Sequence, residues 1–247
     1  MYKIKLFSVS MLLLGLIAGC NKDTSKPEMD SMEQKLSIQS TVGDLENTTV
    51  AQYEVTLENL TPATAPGGSQ PFSPAIVATH KPPLRIFKSN SYASNELLNV
   101  AEDANNQPLI DLLSQSENVY QVVTGTGVIL PGESETFTIT ASQEMHKLSL
   151  VTMLVNTNDG FTGVDKLNLP NSGTQIVYLR AYDAGTEQNT ELAANIPGPC
   201  CGSHFVRVPT HERISYHKGI LGIGDLDPAT YGWDEPVAKL TITRISN

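Results

Sequence analysis

Leu150-Val151-Thr152-Met153-Leu154-Val155 runs directly into Asn156-Thr157-Asn158-Asp159-Gly160-Phe161-Thr162-Gly163-Val164-Asp165, an apolar run joined to an acidic segment with two glycines. From Lys147 onward the run is apolar on both sides, with Leu148, Leu150 and Leu154 alternating against Val151, Met153 and Val155. That pattern predicts a central, largely buried β-strand. Gln175 to Asp183 repeats it, setting Ile176, Tyr178 and Tyr182 against Val177, Leu179 and Ala181, and it runs on into Ala184-Gly185-Thr186-Glu187. If Asp159, Asp183 and Glu187 meet at one end of a sandwich, three hard oxygen donors are gathered, a set suited to Ca²⁺ rather than to a transition metal. Gly160 and Gly163 would let carbonyls turn inward where a side chain would clash. Asn-Asp and Asp-Gly pairs are also ordinary turn formers, so solvated turns are the competing reading of the residues alone.

Outward from this stretch the β pattern continues in both directions. Tyr53, Val55 and Leu57 alternate with Glu54, Thr56 and Glu58, and Ala238, Leu240 and Ile242 with Lys239, Thr241 and Thr243. Val119 to Val123 and Phe137 to Thr140 add hairpin-forming strands around the turn at Pro131-Gly132. Phe72 to His80 and Leu84 to Phe87, broken by Pro82-Pro83, read as short extended pieces near an edge. Between Ser94 and Ser116 the period changes to that of helices: Ser94 is a candidate N-cap with Glu96 in the first turn, and Pro108 opens a second short helix.

The N-terminus carries a different message. Lys3 and Lys5 precede the apolar stretch Leu6 to Ile17, of the length of a secretory leader and short for a membrane span. Ile17-Ala18-Gly19-Cys20 looks like a bacterial lipobox, which makes residues 1–19 a signal peptide and Cys20 the lipidated first residue of the mature chain. Several acyl chains anchor stably where one would not. Asn21 after Cys20 resembles signals permitting outer-membrane delivery, so the expected location is the bacterial cell envelope. Residues 20–50 read as a polar tether and 51–247 as one all-β domain. The net charge is −10, and removing Lys3 and Lys5 with the leader leaves about −12, which argues against nucleic acid as a partner. Cys200 and Cys201 are adjacent and close no chain loop; outside the cytoplasm a vicinal disulfide is the leading expectation, with free thiols or an intermolecular link as alternatives.

Several segments in order are similar to one family. Tyr53-Glu54-Val55-Thr56, Phe72-Ser73-Pro74 with Ala78-Thr79-His80, Ala93-Ser94 with Val100-Ala101-Glu102, Asn158 to Asp165, Tyr182 to Glu187, and Pro236-Val237-Ala238 resemble the spondin domain of F-spondin and mindin, over about Gln52 to Ile245. The resemblance implies an antiparallel eight-stranded β-sandwich related to C2 domains, with one or two short helices and a calcium ion held by loop acids. Carried over by position, the ligands are Asp159, Asp183 and Glu187, the last standing where animal members usually have Asp. Gly160 replaces the aromatic residue common after the first Asp.

Catalysis is the competing class. Cys200 or Cys201 with His204 would make a nucleophile and base for an envelope hydrolase, and His80, His211 and His217 lie near other acids. No Gly-x-Ser-x-Gly, His-Glu-x-x-His or P-loop pattern accompanies them. The expectation is therefore a lipid-anchored, calcium-binding module that binds or adheres to a protein or glycan without catalysis, the alternatives being that hydrolase or a purely structural envelope protein.

Overall fold

The computed structural model describes residues 50–64, 67–202 and 206–246. Its strands are β1 (Val50–Asn59), β2 (Ile76–His80), β3 (Val119–Thr124), β4 (Ser134–Ser142), β5 (Lys147–Met153), β6 (Gly160–Asn168), β7 (Thr174–Leu179), β8 (Ala181–Asp183), β9 (Ser215–Tyr216) and β10 (Ala238–Ser246). Helices α1 (Asn95–Asp103) and α2 (Gln107–Ser114) sit between β2 and β3 in the chain, and a single turn, α3 (Pro228–Tyr231), precedes β10. Two antiparallel sheets result, ordered β4-β1-β10-β7 and β3-β2-β5-β6-β8-β9. Eight strands have five residues or more; β8 and β9 extend the second sheet with three and two. The all-β sandwich expected from alternation and from the resemblance is what forms.

Two apolar layers explain why some strands alternate and others do not. Tyr53, Val55 and Leu57 of β1 and Leu240 and Ile242 of β10 meet Leu148 and Leu150 of β5 between the sheets, while Glu54 on the other side of β1 is exposed. The far side of the second sheet is covered by α1 and α2, where Leu97, Val100, Leu109 and Leu113 pack on Ile76, Ala78, Val151 and Phe161. Strands β2 and β5 are thus buried on both faces and need apolar residues at successive positions. Ser94 caps α1 by accepting from the Leu97 amide at 3.2 Å, and Ala104 ends it in a left-handed conformation.

Two sequence expectations are corrected here. Residues 76–80 lie near an edge, as read, but form an inner strand, because β2 pairs with the edge strand β3 on one side and β5 on the other. The segment through Asp165 is not all loop, because β6 begins at Gly160 and pairs with β5 and β8. Gly163, expected to let a loop carbonyl turn inward, lies inside that strand; a Cβ there would collide with the Leu150 carbonyl. The glycine permits close backbone approach rather than an inward-turned loop carbonyl.

Candidate metal site

The register of β6 against β8 sets Gly160 opposite Asp183, so Asp159 and Asp183 arrive at the same end of the second sheet. The Ala184 amide donates to the Asp159 carbonyl at 3.2 Å and ties the two strand ends together. The loop leading to Asp159 is buried rather than solvated: Asn156, Thr157, Asn158 and Asp159 are each at most 3% exposed. Most of its polar groups find partners in the loop itself or in neighbouring segments. Thr157 donates its hydroxyl to the Leu154 carbonyl at 2.6 Å and accepts from the Gly160 amide at 2.8 Å. Asn156 donates to the Ser69 carbonyl at 2.9 Å. A Cβ at residue 160 would lie 2.5 Å from the Thr157 hydroxyl, which accounts for glycine there.

Within this scaffold one atom is left over. Asp159 Oδ2 accepts from the amides of Thr186 at 2.8 Å and Glu187 at 3.0 Å and from the Thr186 hydroxyl at 3.2 Å. Asp159 Oδ1 is buried with no hydrogen-bond partner among the described residues. Burial, and then the charge of Asp183, push the Asp159 carboxyl from 3.8 up to about 7, against the pull of those donors. A half-satisfied carboxylate beside a second acid is a costly arrangement for a protein alone, since a buried unpaired charge normally finds a partner.

Asp183 is half-buried and turned into its own loop. Its Oδ1 accepts from the Gly185 amide at 2.7 Å and its Oδ2 from the Asn189 side chain at 2.6 Å. Gly185 has φ +73°, and a Cβ there would meet the backbone of Glu212, so the turn after Asp183 requires glycine on both counts. Glu187 follows a different course. Its Oε1 accepts from Arg207 Nε at 3.1 Å, and Arg207 Nη2 pairs with Glu102 at the end of α1. Glu187 and Glu102 are 4% and 1% exposed, and Glu102 Oε1 is buried without a hydrogen-bond partner. Among the described residues no three acidic, histidine or cysteine side chains converge closely enough to hold an ion by themselves.

The Spondin_N family model matches residues 51–212, a span that includes every acid above. The chain belongs to that family. No curated protein matches it. In this spondin domain, of the three acids singled out in the sequence, Asp159 and Asp183 are brought together, and Glu187 is joined to Asp159 through its backbone while its carboxylate faces Arg207.

The other candidates fall elsewhere. Asp165 lies on β6, where its Oδ1 accepts from the Ile86 amide at 2.8 Å and its Oδ2 pairs with Arg85 at 3.4 Å. His80 is fully buried and bonded to the Lys81 carbonyl and the Ser149 hydroxyl, both at 2.8 Å. Cys200 and Cys201 are joined by a disulfide, and the Cys200 amide donates to Asn156 Oδ1 at 3.2 Å, pinning that turn to the buried loop. Cys20 and His204 lie outside the described residues. Two groups near the site escaped the sequence reading in the role they play. Glu191 is 3% exposed and its carboxylate accepts from the amides of Leu221 and Ile223, at 2.5 and 2.9 Å. His217, considered only for catalysis, has Nδ1 accepting from the Gly219 amide at 3.0 Å, and burial pushes its pKa down against the charges of Asp183 and Glu191. An acid flanked by Thr190 and Leu192, and 28 or more residues before the glycine-rich loop it fastens, carries no sequence signal for that task.

Proposed function

We propose that this is a lipid-anchored protein of the bacterial cell envelope whose spondin domain binds calcium and acts as a binding or adhesion module for a protein or glycan, without catalysis. The observation that carries the metal is Asp159 Oδ1, a buried carboxylate oxygen with no donor, next to Asp183. Asp159 and Asp183 would hold the ion, with backbone carbonyls or water completing the six to eight oxygens that calcium takes. The ion would neutralise the two acids and fix the loops that carry them. Glu187 joins the set only if Arg207 releases it.

Supporting the anchor are the leader of residues 1–19 and Cys20, and supporting an outer-membrane address is Asn21. The Cys200–Cys201 disulfide leaves neither sulfur as a thiolate, which favours a binding role over a cysteine nucleophile. Thermal melting with millimolar calcium and with chelator is the direct test. The reading requires a calcium-dependent rise in Tm that disappears in Asp159→Asn and Asp183→Asn. Wild-type protein that melts at one temperature in both buffers would sink it. Glycan and protein arrays probed with and without chelator then separate a structural ion from one that recruits a ligand.

A further inference from the structure

The geometry points to Arg207 as the residue that sets calcium affinity, because it already occupies Glu187 as an internal counter-cation. The inference rests on the calcium reading above and concerns the regulation of that same site. One guanidinium bridges two buried acids from distant parts of the chain, Glu187 after β8 and Glu102 on α1. Arg207 itself is 41% exposed at its side chain, so it reaches inward from solvent to the two buried carboxylates. The segment that carries it runs alongside the site: the Gln188 amide donates to the Val208 carbonyl at 2.8 Å and the Thr210 amide to the Thr186 carbonyl at 2.8 Å. Glu187 therefore touches Asp159 through its amide and Arg207 through its carboxylate at once.

A divalent ion next to Asp159 meets two penalties from this arrangement. Glu187 is available as a ligand only after its ion pair with Arg207 breaks, and the charge of Arg207, partly screened by solvent at 41% side-chain exposure, adds a weaker repulsion. Neutralising Arg207 eases both penalties. Arg207→Gln should bind calcium with a dissociation constant lowered by roughly tenfold or more, whereas Arg207→Lys, which keeps the charge but cannot bridge both acids, should gain less than Arg207→Gln. The gain should shrink in a Glu187→Gln background, since the contested ligand is then gone.

Isothermal titration with calcium on the wild-type domain, Arg207→Gln, Arg207→Lys and Glu187→Gln/Arg207→Gln reads all of this. Removing Arg207 leaves Glu102 buried without its partner, so Glu102→Gln/Arg207→Gln is the companion variant if the single one does not fold in chelator; it too should bind more tightly than wild type. An Arg207→Gln or companion protein that binds calcium no tighter than wild type, while Asp159→Asn abolishes binding, overturns the inference and leaves the calcium site standing. Wild-type protein that takes up no calcium overturns both.

Discussion

Asp159→Asn is the substitution with two opposite expected effects. In the metal-free fold the carboxyl is moved from 3.8 to about 7 by burial and by Asp183, and at pH 8 it is ionised in a place that disfavours its charge. A group whose folded pKa is raised gives stability that is present below the unfolded value and is lost as pH rises through the folded one. For Asp159 that window is about pH 4 to 7, and the loss at pH 8 corresponds to about 4 kcal/mol at 1.36 kcal/mol per pH unit. Asparagine removes the charge and keeps an acceptor for the Thr186 and Glu187 amides, but its amide nitrogen takes the place of an oxygen that has no partner. That unpaired donor costs about 1–3 kcal/mol, so the net gain is about 2 kcal/mol. In a domain of this size the gain raises Tm by about 4–8 °C in chelator at pH 8, and it should vanish at pH 5, where the wild-type carboxyl is already protonated. With calcium in hundredfold excess over its dissociation constant the wild type recovers about 2.7 kcal/mol, and the variant recovers nothing. Differential scanning fluorimetry at two pH values, with and without calcium, gives all four numbers. A variant less stable than wild type in chelator at pH 8, or one that keeps the calcium shift, refutes the assignment of Oδ1 as the open ligand.

Further expectations follow from the same contacts. The calcium-dependent rise in Tm of the wild-type domain should be larger at pH 7.5 than at pH 5.5, because protons compete for Asp159 over that range; a flat profile on scanning fluorimetry contradicts it. Gly163→Ala should cost several kcal/mol by overpacking β6 against the Leu150 carbonyl, read as a lower urea midpoint with unchanged slope. Replacing both Cys200 and Cys201 by Ser should change Tm by only a few degrees, since a link between neighbours restrains almost none of the unfolded chain.

Strands β1 and β10 were legible because one face is wet, and alternation is then unambiguous: Glu54 and Glu58 against Val55 and Leu57. Strand β2 was not, because burial under α1 and α2 erases alternation and the nearby Pro82-Pro83 suggested a short extended piece. Strand β6 was hidden behind Asn-Asp-Gly and Gly163, residues whose local preference is for turns but which serve here to bring backbones close. At the site, Asp159 and Asp183 were readable as acids at strand ends. The destination of Glu187 was not, since its partner Arg207 lies 20 residues on and Glu102 belongs to a helix on another layer. A pairing made by tertiary contact leaves no periodic trace.

The β6–β8 register also acts as a check on how the chain has paired. Side chains alternate along a strand, so slipping β8 by one residue against β6 would send Asp183 to the opposite face and separate it from Asp159. β8 has only three residues, and the Tyr182 ring packed on Phe87 and Phe161 and the pairing with β9 share the task of holding it in step. An ion that needs both acids binds the correctly aligned sheet and none of its neighbours in register, so calcium present while the chain folds would select the native alignment as well as stabilise it.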